Sequence, residues 1–404
     1  ELDYRSATCC LMSLGNAQGK HIVTIEGTNV EGLNFIQQAM AEEGATQCGF
    51  CTPGFVVSLA GFCLSTNDPE YNNAIESIDG NICRCTGYKS IERAAGKIAM
   101  QMKMKKEESP INFAVDKNIL PAYFKTIKST LSKLTQQGNG NLVTTSSGSR
   151  FLAGGTDIYV QEHDTFIHEE VNFLFDNKEL NGIEISGEKC FIGASATVTD
   201  IVESEIFRKY FPITPKIKKL ISSTPIRNMA TIGGNFINAS PIGDLTIIFL
   251  ALNAGLILRD GENKREILLK DFYLGYKKLN KEPREIIQQV WFDLPGKNDL
   301  FNFEKVCKRT YLDIASVNSA CKFSVESGII NEANFSAGGV GPVPMYLSRA
   351  SSFIQGKKNS PELIEELIEI SNEEISPISD VRGSEKYKRL LLGQLLKAHF
   401  EVLL

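Results

Sequence analysis

The 404-residue sequence lacks an apolar run long enough to cross a bilayer as a helix: its longest, Leu245 to Leu258, is 14 residues and contains Asn253. A span needs roughly 20 apolar residues, so a membrane-spanning helix is excluded. An excess of positive charge is also lacking. Forty-three Lys and Arg stand against 48 Asp and Glu, a net charge of −5 spread thinly, so bulk attraction for nucleic acid is excluded. There is one Trp, no internal repeat, no low-complexity tract and no G-x-G-x-x-G, and the last absence removes a Rossmann dinucleotide site. What remains, with 42 % hydrophobic residues, is an ordinary globular composition for two to three domains of roughly 100–200 residues each.

The ten cysteines are the informative residues. Six stand in close pairs, at 9 and 10, 48 and 51, and 83 and 85; Cys63, Cys190, Cys307 and Cys321 are scattered and read as free core thiols. Cys48-Gly-Phe-Cys51 and Cys83-Arg-Cys85 set thiols too close in sequence for ordinary disulfides. A reducing cytoplasmic compartment is the expectation, and paired thiols there point to metal or redox chemistry.

The alternating run His21 to Ile25 predicts a strand ending at Glu26-Gly27. Helical spacing follows over Val30–Glu43 and Pro53–Thr66, with further helices at about 71–79 and 88–104. Each cysteine pair therefore falls in a loop between two helices, and two loops at one end of a four-helix bundle can bring four thiolates together. The charged run before Pro110 reads as a linker, over 105–118. Beyond it the spacing predicts a helix over Tyr123–Gln137, strand-like runs to about Leu294, strands at Ala320–Val325 and Asn334–Ala337, and helices at 360–374 and 384–400. Four thiolates from C-x-x-C and C-x-C across 31 residues can hold zinc or a [2Fe-2S] cluster. Helices between the pairs, and the C-x-C, favour iron–sulfur.

Gln47-Cys-Gly-Phe-Cys-Thr-Pro-Gly54 and Asn81-Ile-Cys-Arg-Cys-Thr-Gly-Tyr88 closely resemble the second [2Fe-2S] centre of the molybdenum hydroxylases, the xanthine dehydrogenase family. The resemblance makes Cys48, Cys51, Cys83 and Cys85 cluster ligands. Thr8-Cys-Cys-Leu-Met-Ser-Leu14 resembles the end of that family's plant-type ferredoxin domain, where Cys10 takes the place of its last ligand and Cys9 is the alternative. The C-x₄-C-x₂-C loop such a centre also needs does not occur in the sequence, and the expectation is that a segment upstream of Glu1 carries it.

Two glycine loops, Phe151-Leu-Ala-Gly-Gly-Thr-Asp-Ile158 and Met229 to Asp244, offer a pyrophosphate unhindered main-chain N–H groups and hydroxyls; taken alone they read equally as tight turns. Both resemble the FAD-binding segments shared by xanthine and carbon monoxide dehydrogenases. That implies FAD contacts by Leu152, Ala153, Gly154, Gly155, Thr156 and Asp157, and by Thr231, Gly233, Gly234, Asn235 and Asp244. Ile287 and Lys305 occupy the places of an apolar residue and a cation beside the flavin, where Lys305 would stabilise the reduced, anionic ring as the one catalytic side chain. His163 and His168, five apart in a charged stretch, read as solvated, and Asp313 as a structural contact.

The resemblance implies a multidomain α+β protein: the C-terminal part of a plant-type ferredoxin domain (1–27), a four-helix [2Fe-2S] bundle (28–104), the linker, a bilobed α+β FAD domain (119–295) and a C-terminal α+β flavoprotein subdomain (296–404). It implies an electron-transfer subunit of purine catabolism that works in a hetero-oligomer. A molybdopterin-binding large subunit would supply the molybdenum cofactor in trans, and NAD⁺ is the expected acceptor, with oxygen as the alternative. The same module in an aldehyde, carbon monoxide or N-heterocycle oxidiser, or a zinc-stabilised binding protein, stays open on the sequence.

Overall fold

The computed structural model describes residues 2–65, 68–106, 108–134, 150–166 and 168–403. The chain forms two compact units, residues 1–142 with 223–228, and residues 143–222 with 229–404. No helix among the described residues is long and apolar enough to cross a membrane.

The first unit is helical: α1 (Phe35–Glu42), α2 (Thr52–Leu64), α3 (Tyr71–Ser77), α4 (Lys89–Lys103) and α5 (Pro110–Asp116). Helix α1 begins at Phe35 rather than Val30 because Asn34 forms a capping box. Its side chain accepts from the Gln37 N–H at 2.8 Å while the Gln37 side chain accepts from the Asn34 N–H at 3.0 Å. Helix α2 is apolar almost all round and buries Phe55, Leu59, Phe62 and Cys63, which marks the middle of a bundle. Helix α4 buries one stripe, Ile91, Ala94, Ala95, Ile98 and Met102, and turns Arg93 and Lys97 outward onto Glu43 at 2.8 and 2.5 Å.

Three further expectations change here. The run 105–118 is not a linker: Pro110 opens α5, where its missing N–H costs nothing, and Phe113 and Ala114 join the same core as Phe55 and Ile91. Residues 21–25 form no strand, because an extended segment needs a ladder partner and none stands beside them among the described residues; a 3-10 turn follows at Ile25–Thr28. The helix expected over Tyr123–Gln137 is a 3-10 turn, Ala122–Lys125, and an α-helix, Ile127–Leu134; residues 135–137 lie outside the described residues.

The second unit opens with a short parallel pair, β1 (Arg150–Leu152) and β2 (Val171–Phe173). A five-stranded antiparallel sheet follows, from β3 (Ile183–Ser186), β4 (Lys189–Gly193), β5 (Gly255–Asp260), β6 (Asn263–Leu268) and β7 (Ile286–Asp293), in the order β3-β4-β7-β5-β6. Helices α6 (Ile232–Asn238) and α7 (Asp244–Ala251) lie in the chain between β4 and β5. A second antiparallel sheet runs β8 (Asp299–Val306), β9 (Val317–Glu326), β10 (Ile329–Gly338) and β11 (Met345–Tyr346), with β12 (Lys357–Lys358) also on β10.

Helix α7 is apolar on every side and is buried against β9 and β10, so it carries Asp244 at its first position into the interior. Helices α8 (Pro361–Glu374) and α9 (Glu385–Phe400) complete the second lobe. There His399 is fully buried, with its ring nitrogens 3.0 Å from Asn302 Nδ2 and 3.0 Å from Ser319 Oγ; burial pushes its pKa down to about 3, so it is a neutral structural link.

Candidate cofactor sites

The loops α1–α2 and α3–α4 of the first unit bring four thiols together as two cross-loop pairs. Cys85 Sγ lies 3.5 Å from Cys48 Sγ, and Cys51 donates to Cys83. In each pair one thiol is poised toward thiolate and its neighbour is pushed up. The Phe50 N–H, then Cys85, lowers Cys48, and the bond to Cys48 raises Cys85. Hydrogen bonds from the Thr86 hydroxyl and N–H lower Cys83 to about 7, whereas burial, then Cys83, raises Cys51. Thiolate is the form that binds metal, so the donor set fits a thiolate-ligated centre. Among the described residues no three His, Cys, Asp or Glu side chains close round a single point. Cys10 is an exposed free thiol on the 3-10 turn Cys9–Leu11, and no sulfur contact joins it to these four among the described residues. Cys63, Cys190 and Cys321 are buried, as core thiols should be, whereas Cys307 is half-buried and donates to the Arg309 carbonyl instead of joining the core.

The two glycine loops of the second unit lie side by side. Leu152 is buried at the end of β1, and Gly154 packs so closely on the Met229 carbonyl that a Cβ there would collide with it. Gly155 has φ of 81°, a conformation that favours glycine. In the second loop Thr231 caps α6 by accepting from the Gly234 N–H at 3.1 Å, and the Gly233 N–H donates to the Ala194 carbonyl at 2.9 Å. Those two N–H groups are therefore committed to the fold, contrary to a reading in which they meet phosphate. The N–H groups of Gly155 and Thr156 donate to no protein acceptor among the described residues. Thr156 is half-buried and Asp157 exposed beside them, and Asn235 accepts from Thr246 Oγ1 at 3.0 Å. The first loop has two main-chain donors with no protein acceptor among the described residues, and fits a diphosphate.

Asp244 and Lys305 meet each other. Lys305 Nζ lies 2.7 Å from Asp244 Oδ2 and donates to the Leu220 carbonyl at 2.7 Å, while Asn318 Nδ2 donates to Asp244 Oδ1 at 2.6 Å. Burial raises the Asp244 carboxyl, and Lys305 and Asn318 oppose that rise. Ile287 is buried in the core of the first sheet, opposite Leu258. His163 and His168 are exposed, and Asp313 is held by Arg309 at 2.7 Å. Sequence reasoning missed three residues. Thr86 and Tyr88 were inside the quoted cysteine motif, but their contacts to Cys83 need the loop's curvature; Asn318 had no local signal, being 74 residues from its carboxylate.

Residues 24–96 match the family model of the [2Fe-2S] binding domain, residues 129–294 that of the FAD binding domain in molybdopterin dehydrogenase, and residues 303–403 that of the CO dehydrogenase flavoprotein C-terminal domain. Xanthine dehydrogenase of Emericella nidulans is 28% identical over 89% of this chain and 31% of its own length. Xanthine dehydrogenase 1 of Arabidopsis thaliana is 25% identical over 97% of this chain and 34% of its own length. The chain thus spans about a third of the length of these relatives. Among solved structures, a reconstituted CO dehydrogenase from Oligotropha carboxidovorans superposes with a TM-score of 0.60 at 25% identity, over 64% of this chain and 91% of that one. The three domains in this order, with xanthine dehydrogenases similar along nearly all of the chain, match the iron–sulfur and flavin module of the molybdenum hydroxylases.

Proposed function

We propose that this chain is the electron-transfer subunit of a cytoplasmic xanthine dehydrogenase-type enzyme, taking electrons from a molybdopterin-binding subunit and delivering them to NAD⁺. The observation that carries the xanthine type is identity together with coverage. Xanthine dehydrogenases are 28% and 25% identical over 89% and 97% of the chain, iron–sulfur and flavin parts together, against 24% over 93% for a nicotinate hydroxylase of Emericella nidulans, while the CO dehydrogenase chain aligns over 64%.

In this reading Cys48, Cys51, Cys83 and Cys85 would hold a [2Fe-2S] cluster, with the Cys48 and Cys85 sulfurs already 3.5 Å apart. The FAD diphosphate lies along the first glycine loop, on the N–H groups of Gly155 and Thr156, with Gly154 keeping the floor clear. Lys305 is the cation near the flavin ring. Its side chain is 1% exposed, and the Leu220 carbonyl and Asp244 hold it in place, so its charge is fixed and unscreened by solvent. Asp244 holds this lysine in place. When bound, the cluster takes up one electron at a time and FAD two, which suits a subunit between one-electron carriers and hydride chemistry.

The test is Cys83→Ser in the full-length protein. One [2Fe-2S] signal in the electron-paramagnetic spectrum of the reduced protein should vanish while FAD stays bound; unchanged iron and sulfide contents would refute the ligand assignment. Rapid mixing of the reduced protein with NAD⁺ or with oxygen identifies the acceptor.

A further inference from the structure

The loop after Cys83 closes on its own sulfur. Gly87 and Tyr88 adopt successive left-handed conformations, φ of 66° and 69°, and turn the chain back on itself before α4. For tyrosine this conformation is strained, and two contacts offset it. The Tyr88 hydroxyl accepts from the Cys83 N–H at 3.0 Å, and the Tyr88 N–H donates to Thr86 Oγ1 at 3.2 Å. Thr86 in turn meets Cys83 Sγ twice, through its N–H at 3.5 Å and its hydroxyl at 3.1 Å.

The direction of the hydroxyl bond follows from valence. A hydroxyl has one hydrogen and two acceptor lobes, and the Tyr88 N–H fills one lobe. A thiolate bound to iron has no proton to give, so the hydroxyl hydrogen points at Cys83 Sγ. Among the described residues Cys83 is the one thiol of the four that takes a hydroxyl, and it is buried, whereas Cys48 and Cys85 are exposed.

We propose that Thr86 is a positioning residue that sets the reduction potential of the [2Fe-2S] centre, its hydroxyl oriented by the Tyr88 N–H and donated to the Cys83 sulfur. This rests on Cys83 being a cluster ligand. Reduction adds one negative charge to the centre, and a donor aimed at a ligand sulfur is stronger against the more negative state. The reduced state is thereby favoured and the potential raised.

Thr86→Val keeps the shape and the main-chain N–H and removes the hydroxyl; Thr86→Ser keeps the hydroxyl. The measurement is a potentiometric titration of the full-length protein, following the [2Fe-2S] signal that Cys83→Ser removes. Valine should shift the oxidised-to-reduced ratio at fixed potential about tenfold toward oxidised, a midpoint lower by about 59 mV for one electron, and serine should restore the wild-type midpoint. A valine variant with its cluster bound and its midpoint unmoved overturns the proposal, as does a serine variant shifted as far as valine. If valine loses the cluster, Thr86→Ala is read in the same way. Cluster loss from both, with retention in serine, makes Thr86 an anchor and equally overturns its role in setting the potential. A wild-type spectrum with no signal sensitive to Cys83→Ser overturns the ligand reading itself, and the titration of the variants distinguishes that failure from this one.

Discussion

Lys305→Met is the sharpest perturbation of the second unit, because it strands a buried carboxylate. Lys305 and Asp244 have side chains 1% and 14% exposed, and among the described residues Asn318 would be left as the donor to that carboxylate once the ammonium is lost. Breaking a buried pair from one side costs about 3–5 kcal/mol if the orphan stays charged. The orphan can take a proton instead, at about 1.4 kcal/mol per pH unit above roughly 3.9, which caps the loss near 4 kcal/mol at pH 7 and near 2 kcal/mol at pH 5.5. The sign follows from the direction of the shift. Burial already holds the folded carboxyl above its unfolded value, so stability is fullest below the unfolded pKa and is lost as pH rises toward the folded one. Removing the lysine moves the folded value higher still, so the deficit keeps growing with pH. The assay is urea unfolding followed by the single tryptophan, Trp291, which sits on β7 with Lys189 Nζ 3.5 Å from its ring centroid and so reports the second unit alone. Adding Asp244→Asn should recover at least about 1 kcal/mol and flatten the pH dependence, as coupled neighbours do. A loss that is independent of pH, or a double variant equal to the sum of the singles, would refute the reasoning.

The same pair makes an electrical prediction: Lys305→Met should lower the flavin potential and Asp244→Asn, which uncovers the ammonium, should raise it, read by titration of samples with matched FAD content. Equal potentials in all three proteins would place the pair away from the ring. Gly154→Ala should force the first loop off the Met229 carbonyl, cost about 1–3 kcal/mol by overpacking and release FAD, measured as flavin lost on gel filtration; full FAD retention would remove that loop from the site.

How much of this was legible in the sequence depends on how local each determinant is. The cysteine pairs, the helices between them and the terminal helices at 361–374 and 385–400 announce themselves through spacing and capping residues within a few positions. Pro110 did not, since a proline after a charged run looks alike whether it ends a linker or begins a helix, and only the burial of Phe113 decides. The placement of residues 223–228 with the first unit was equally hidden, because it depends on Arg227 donating to Asp79 at 3.0 Å across 148 positions. At the flavin loops the glycines were readable but their N–H partners were not: Gly233 is committed to Ala194, which lies on a different segment. Lys305 and Asp244 were each read as touching FAD; that they hold one another is a tertiary fact 61 residues long.

The central claim is that this chain carries an iron–sulfur cluster and a flavin in one polypeptide, and cofactor content tests it most directly. Iron, acid-labile sulfide, zinc and FAD are measured together with the visible spectrum on the 404-residue chain. The account predicts about two iron and two sulfide per chain, the content of one [2Fe-2S] unit, with one FAD and little zinc. A colourless protein with zinc in place of iron would contradict it, and about four iron per chain would contradict the ligand set of Cys48, Cys51, Cys83 and Cys85.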